Sequence, residues 1–365
     1  MVRAEAGSGD GPPIARPRRA IQPALRRCRY LTPPPSRLPP ALLSRKFSPW
    51  HLVPFSWKYV RLRWQRRPVL VNFEVTMRCN AKCGFCDYWK TSPELKAQEL
   101  DSFVDAAKAF DPMMITWTGG EPLLRKDLES LVGAVDRAIR TKYTALLTHG
   151  AMLTIERARA LWDAGIGQFN ISLDYPDERH DVARGIPGLA RRILANAAAI
   201  RAEGMTVRFN TVIKDDNLDD IFPLVLEAER MGVGMNLSVY TDFKNGDTSH
   251  LLRAEHQARV EELVRELLAF KRRRRGIISN SDHYLASIPR YLRGEMTEPC
   301  LSGQDTVHID PYGGIRRCPD FPADGHWSEY AGYAPIKCDR CFYACRGEAQ
   351  APLRPNRFLD LVASA

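Results

Sequence analysis

The sequence predicts an α/β fold: a parallel sheet covered by helices, followed by a small cysteine-rich unit. Three observations predict it. Between residues 69 and 275, six strand-like runs are each followed by a helix-like run. Three cysteines sit just past the first of those strands. Five more lie between Cys300 and Cys345. Strand–helix alternation is the pattern of βαβ units, which put their functional loops at the C-terminal ends of the strands.

With 365 residues, 44% of them hydrophobic, the chain can build one large domain and a small one. No run of 18 apolar residues occurs, so no membrane-spanning helix is expected. The nine cysteines are odd in number and mostly clustered, which argues against a secreted disulfide framework and for metal ligands in a reducing, cytoplasmic setting. The net charge of +10 is unevenly placed. Residues 1–68 hold 15 Lys/Arg and two acids, a net of +13, and the remainder nets −3. A nucleic-acid enzyme usually carries its basic patch on the folded domain, so nucleic acid ranks low as a substrate.

Residues 1–48 are rich in Pro and Arg and bury too little apolar surface to fold, so a disordered tail is expected there, with Cys28 a free thiol. Residues 49–68 differ. Val53, Trp57, Val60 and Trp64 fall on one helical face among Lys58, Arg61, Arg63, Arg66 and Arg67. The expectation is a helix that packs this face on the main domain. The competing reading is a basic aromatic helix lying on an anionic membrane.

The strand-like runs are 69–76, 113–118, 143–148, 168–173, 206–213 and 234–240. The helices are expected over 98–110, 124–140, 155–164, 189–203, 218–231 and 251–275. Residues 276–298 read as a linker, with a helix region over 277–294, 299–348 as the cysteine-rich unit and 349–365 as a tail.

Past the first strand comes Cys79-Asn80-Ala81-Lys82-Cys83-Gly84-Phe85-Cys86, a C-x3-C-x2-C spacing. Three thiolates can hold three corners of a cubane iron–sulfur cluster and leave one iron open. A structural zinc site usually needs a fourth ligand nearby, and the next cysteine is Cys300. The motif, with an aromatic before its last cysteine, resembles that of the radical S-adenosylmethionine (SAM) enzymes. That resemblance implies a partial (β/α)6 TIM-like barrel. It implies a 4Fe–4S cluster on Cys79, Cys83 and Cys86, with SAM on the open iron and Phe85 beside it.

Thr118-Gly119-Gly120-Glu121-Pro122 follows the second strand. Glycines let the backbone approach a ligand, and Glu121 offers an acceptor for an ammonium. The resemblance assigns Gly119, Gly120 and Glu121 to the SAM amino group. His149, ending the third strand, is expected to be structural. On the fourth strand Asn170, Ser172 and Asp174 alternate with apolar residues and share a face. That strand is similar to the family's Ser-Leu-Asp strand, which implies cofactor contact, as it does for Asn210 on the fifth. Arg184 reads either as a partner for the SAM carboxylate or a substrate acid, or as a surface arginine. Asn217 reads as a helix cap, and Lys271 to Arg275 as a solvated helix end.

Cys300 and Cys318 frame a Pro-Tyr-Gly-Gly hairpin, and Cys338, Cys341 and Cys345 follow as C-x2-C-x3-C. Such a set can fully ligate one cluster, or tetrahedral zinc. It resembles the SPASM/Twitch extension. This implies one auxiliary 4Fe–4S cluster, with Cys300, Cys318, Cys338 and Cys341 as preferred ligands and Cys345 a spare.

The resemblance implies reductive cleavage of SAM to a 5′-deoxyadenosyl radical that takes hydrogen from a substrate. The auxiliary cluster would aid oxidation or position the substrate. A flavodoxin- or ferredoxin-type donor would supply the electron. Peptide modification is slightly favoured over a small molecule or lipid. A non-catalytic zinc scaffold is the reading from another class.

Overall fold

A computed structural model describes residues 52–90, 99–296 and 298–351. The Pro/Arg-rich stretch 1–48, Cys28 and all but the first residues of the 349–365 tail lie outside the described residues.

A helix, α1 (Leu52–Trp64), leads into the alternating part. There follow β1 (Leu70–Glu74), α2 (Leu100–Phe110), β2 (Met114–Thr118), α3 (Leu128–Ala138), β3 (Tyr143–Thr148) and α4 (Ile155–Ala164). The second half runs β4 (Gln168–Ser172), α5 (Glu178–Arg184), α6 (Leu189–Ala202), β5 (Val207–Ile213), α7 (Leu218–Met231), β6 (Gly234–Val239) and α8 (Gln257–Arg273). Then come α9 (Asp282–Leu292), β7 (Thr306–Ile309), β8 (Gly314–Arg316), β9 (Gly325–His326) and α10 (Ala344–Gln350).

The described strands form one open sheet in the order β6-β5-β4-β3-β2-β1-β7-β8-β9. From β6 through β1 to β7 every pairing is parallel, so the loops after β1 to β6 all emerge at one edge. This is the open, partial barrel implied above. In β5, Val207, Phe209, Thr211 and Ile213 are buried, while Arg208, Asn210 and Val212 are half-buried. The period of two thus sends Asn210 to the partly open face and the apolar residues to the helices. Phe73, Trp117, Phe169 and Phe209 fill the buried layer between sheet and helices.

Several regions differ from expectation. The cysteine-rich unit is continuous with the main sheet: β7 pairs parallel with β1, Leu70 opposite Thr306 through Phe73 opposite Ile309. Glu74, at the end of β1, pairs with Arg316 of β8 and lies 3.3 Å from His308 Nδ1 of β7. The helix expected in the linker forms as α9, but its Tyr284, Leu285 and Ile288 are core residues, so the stretch packs into the main domain. Its neighbour Ile278 bridges to Met235 of β6.

α1 packs the opposite face from the one expected. Leu62 is buried, and Lys58 Nζ donates to Asp111 Oδ1 at 2.6 Å and to Thr141 O at 2.7 Å. Val53, Trp57, Val60 and Trp64 are exposed. The basic end of α8 is only partly solvated: Lys271 is buried, donating to Asn280 O at 2.7 Å and lying 3.0 Å from Asp282.

Candidate active site

The cysteine loop after β1 and the glycine loop after β2 are joined by their backbones. Gly120 N donates to Thr76 O at 2.8 Å, and Glu121 N donates to Arg78 O at 2.7 Å. A Cβ on Gly119 would meet Thr76 O at 2.2 Å, and one on Gly120 would meet Arg78 O at 2.1 Å. Gly119 also has φ +129°, a conformation other residues rarely adopt. The glycines therefore bring the two loops together, a close approach the sequence suggested only toward a ligand.

Glu121 is fully buried and its oxygens are used by its own chain. Oε1 accepts from Leu123 N at 3.1 Å and Thr148 Oγ1 at 2.7 Å. Oε2 accepts from His149 N at 2.9 Å and lies 3.1 Å from His149 Nε2. His149 Nε2 also reaches Asn80 Oδ1 at 2.8 Å, and His149 Nδ1 accepts from Ala151 N at 3.2 Å. That network assigns the proton to Nε2. Burial holds the imidazole below its usual pKa, so it stays neutral. His149 is structural, and it ties the cysteine motif to Glu121.

Asp174 and Arg184 form a buried pair, Nη2 to Oδ2 at 2.6 Å. Burial pushes the Asp174 carboxyl up, but Arg184, His180, Lys214 and the Val212 N–H outweigh it and hold it low. Arg184 Nη1 also donates to Cys83 Sγ at 3.6 Å, within sulfur hydrogen-bond range. Its guanidinium stands 5.0 Å over the Phe85 ring, and Lys214 Nζ stands 5.4 Å from the same ring. Arg184 is thus an interior residue beside the first cysteine set, and its surface reading is overturned.

Asn170 and Ser172 are half-buried on the same face of β4. Asn210 pairs in register with Ser172, and its buried Oδ1 has no hydrogen-bond partner. Asn217 makes no side-chain cap bond on α7. Its Oδ1 accepts from Lys214 N at 2.8 Å, and its Nδ2 donates to Asp174 O and Val212 O. It holds the loops after β4 and β5 together.

In the C-terminal set, Cys300, Cys318 and Cys341 are buried. Cys345 has Cys341, Cys318 and Cys300 as electrostatic neighbours, and Cys338 has Cys300. Both sets share a local device. Ser302 N donates to Cys300 Sγ at 3.5 Å, and Asp320 N to Cys318 Sγ at 3.4 Å. The backbone N–H groups of Ala81, Tyr88 and Tyr343 serve Cys79, Cys86 and Cys341 in the same way. Each donor lies two residues past its cysteine, and such bonds favour the thiolate. Arg346 is buried beside Cys300 and Cys341, donates to Cys341 O at 2.7 Å and keeps Nε unpartnered.

These donor sets fit iron–sulfur clusters. Burial pushes the thiols up, Cys79 and Cys341 to about 11 and Cys318 to about 12. A buried thiol ionises readily only against a cation, which a metal centre supplies. Zinc at ~2.3 Å from each sulfur would draw its ligands to roughly 3.8 Å apart. Among the described residues, no cysteine trio has all three sulfurs within 4.8 Å of one another. Among the described residues the one group that meets that limit is Asp215, Asp216 and His250.

Cysteines past β1, a diglycine loop past β2 and a polar face on β4 and β5 thus sit together on an open, partial barrel. Residues 73–227 match the family model described as the radical SAM superfamily. The AdoMet-dependent heme synthase of Nitratidesulfovibrio vulgaris is 29% identical over 279 residues, covering 68% of this chain and 73% of that protein. The PqqA peptide cyclase of Gluconobacter oxydans is 28% identical over 264 residues, covering 69% of this chain and 70% of that protein. Several other curated relatives are matched over only about half of their length. Streptococcus suis SuiB, solved with the precursor peptide SuiA, shares the fold at TM-score 0.60 and 17% identity, covering 78% of this chain and 69% of SuiB. Residues 73–227 are thus identified as a radical SAM superfamily domain. Members of that superfamily use a 4Fe–4S cluster and SAM.

Proposed function

We propose that this protein is a radical SAM enzyme whose two cysteine sets hold two 4Fe–4S clusters. Cys79, Cys83 and Cys86 hold the first, and the set Cys300 to Cys345, of SPASM/Twitch type, holds the second. When bound and reduced, the first cluster supplies the electron that cleaves SAM and so makes a hydrogen-abstracting radical available. One observation carries the reading: the cysteine loop is joined by backbone hydrogen bonds to the diglycine loop at the functional edge of the sheet.

The chain's own residues do the rest. Glu121, held by Thr148 and His149, fixes the glycine loop, so Gly119 and Gly120 present backbone groups to the SAM amino group. Asn170, Ser172 and Asn210 line the half-open face, and the unpartnered Asn210 Oδ1 is an acceptor for the cofactor. Asp174 acts through Arg184, which it orients toward Cys83 and the carboxylate of SAM. Phe85, between two cations, walls the site from water. Arg346 offsets the negative charge of the second thiolate set.

The substrate is a peptide in this reading. Its support is the likeness to a peptide cyclase and to a fold solved with a precursor peptide. A small molecule or lipid is the second reading, favoured by the exposed aromatic face of α1. A flavodoxin- or ferredoxin-type protein delivers the electron in the cytoplasm, and residues 49–68 give peripheral membrane contact. The test is anaerobic incubation of the reconstituted protein with SAM and dithionite. The expected product is 5′-deoxyadenosine, and a protein that never forms it contradicts the proposal.

A further inference from the structure

The two faces of α1 are made for different surroundings. Lys58 and Leu62 face the protein, with Lys58 and Arg61 on Asp111 and Arg63 on Asp305. These contacts bridge the loop after α2 and the loop before β7, so the helix is anchored at both ends of a strap. Against the described residues, the other face is open. Val53 is 77% exposed, Trp57 71%, Val60 58% and Trp64 86%, four of the six large exposed hydrophobics among the described residues. At about 100° per residue they form one stripe. Arg61 and Arg63 fall roughly 80° to either side of it, and both remain about 40% exposed at the side chain. Arg66 and Arg67 continue the basic rim in exposed positions.

We propose that α1 docks this enzyme on the headgroup layer of an anionic membrane. Two observations choose this occupant. First, the charge is one-sided: residues 49–68 contain no acid, and residues 1–68 net +13 against −3 for the rest. Basic segments gain from the negative surface potential of anionic lipid. The same charge disfavours the chain's own basic N-terminal stretch, or a second copy of α1, as a cover for the stripe. Second, the apolar content is aromatic. Trp57 and Trp64 stand two turns apart on the stripe, and indole rings favour the membrane interface. An amphipathic helix with a basic rim lies in that plane rather than crossing it, and no described helix is long and apolar enough to cross. Docking would hold the functional edge of the sheet at a fixed distance from lipid, without requiring that the substrate be one.

The test is sedimentation of the full chain with phosphatidylcholine vesicles, with and without phosphatidylglycerol. Binding is expected only with the anionic lipid, weakening as salt rises. The double variant Trp57→Ser/Trp64→Ser should lose it by tenfold or more. Because both side chains are exposed, its thermal midpoint and far-UV circular dichroism should not change. Val182→Ser, at an equally exposed position away from α1, should bind like wild type. Wild-type protein that ignores both vesicles, or a double variant that binds as tightly as wild type, overturns the proposal. So does a lipid-free dimer that the double variant dissolves, since the stripe is then covered by a second copy.

Discussion

The two cysteine sets differ in what surrounds them. The first lies in a loop joined to the Gly119–Gly120 loop on one side and to Arg184, at the end of α5, on the other. Its three thiols leave one corner of a cubane for a ligand the protein does not supply. The second is carried just past β8, in and before α10 and on the bridge between Cys300 and Ile336, and it offers more thiols than one cluster needs. Both use the same backbone N–H device on their sulfurs, so thiolate stabilisation does not separate them. What separates them is the open corner that a set of three thiols leaves.

Breaking either set should therefore have different consequences. The largest effect is expected from replacing Cys79, Cys83 and Cys86 together by Ala. Iron content should fall by about four per chain, and 5′-deoxyadenosine formation should fall to background, read by colorimetry and chromatography. Next is Asp174→Ala, which leaves Arg184 buried without its carboxylate. A cost of about 3 kcal/mol in unfolding free energy is expected from denaturant titration, along with weaker SAM binding. Asp174→Asn should recover part of the stability. Gly120→Ala drives a methyl into Arg78 O and should part the two loops, at a cost of about 2 kcal/mol. The same substitution at Gly84, which has no neighbour within 4 Å, should be nearly silent.

The smallest effect concerns acid. His180 is buried, its Nδ1 accepts from Asp174 N at 3.2 Å, and its Nε2 has no partner. Burial, reinforced by Arg184, pushes its pKa down to about 3. The unfolded chain takes up that proton near pH ~6.5, so stability falls as pH drops from there toward the folded value. Between pH ~6.5 and ~5 the loss from this one residue should be about 2 kcal/mol. His180→Gln should flatten that part of the stability profile, measured by urea denaturation.

Much of the architecture is legible in the sequence because it rests on local periodicity. The six strands and the helices 155–164 and 218–231 follow from alternation and apolar spacing alone. The cysteine and diglycine loops are legible because their chemistry is contiguous. What is not legible depends on partners far along the chain. Glu121 reads as an ammonium acceptor until Thr148 and His149 are seen to occupy its oxygens. Asn217 reads as a cap until Asp174 O and Val212 O claim its amide. Arg184 reads equally well as buried or exposed, since no local pattern records Asp174 beside it. For α1 the apolar spacing found the right stripe but gave it the wrong side, because Asp111 and Asp305 pull the basic face inward. The pairing of β7 with β1 joins segments more than 200 residues apart and leaves no local trace.

The division of labour between the two cysteine sets is tested most directly by comparing SAM cleavage in Cys83→Ala and Cys318→Ala, each reconstituted anaerobically. The account predicts no 5′-deoxyadenosine from Cys83→Ala. It predicts partial cleavage from Cys318→Ala, with about four irons lost. Equal loss of cleavage in both variants, or an unchanged iron content in Cys318→Ala, would contradict it.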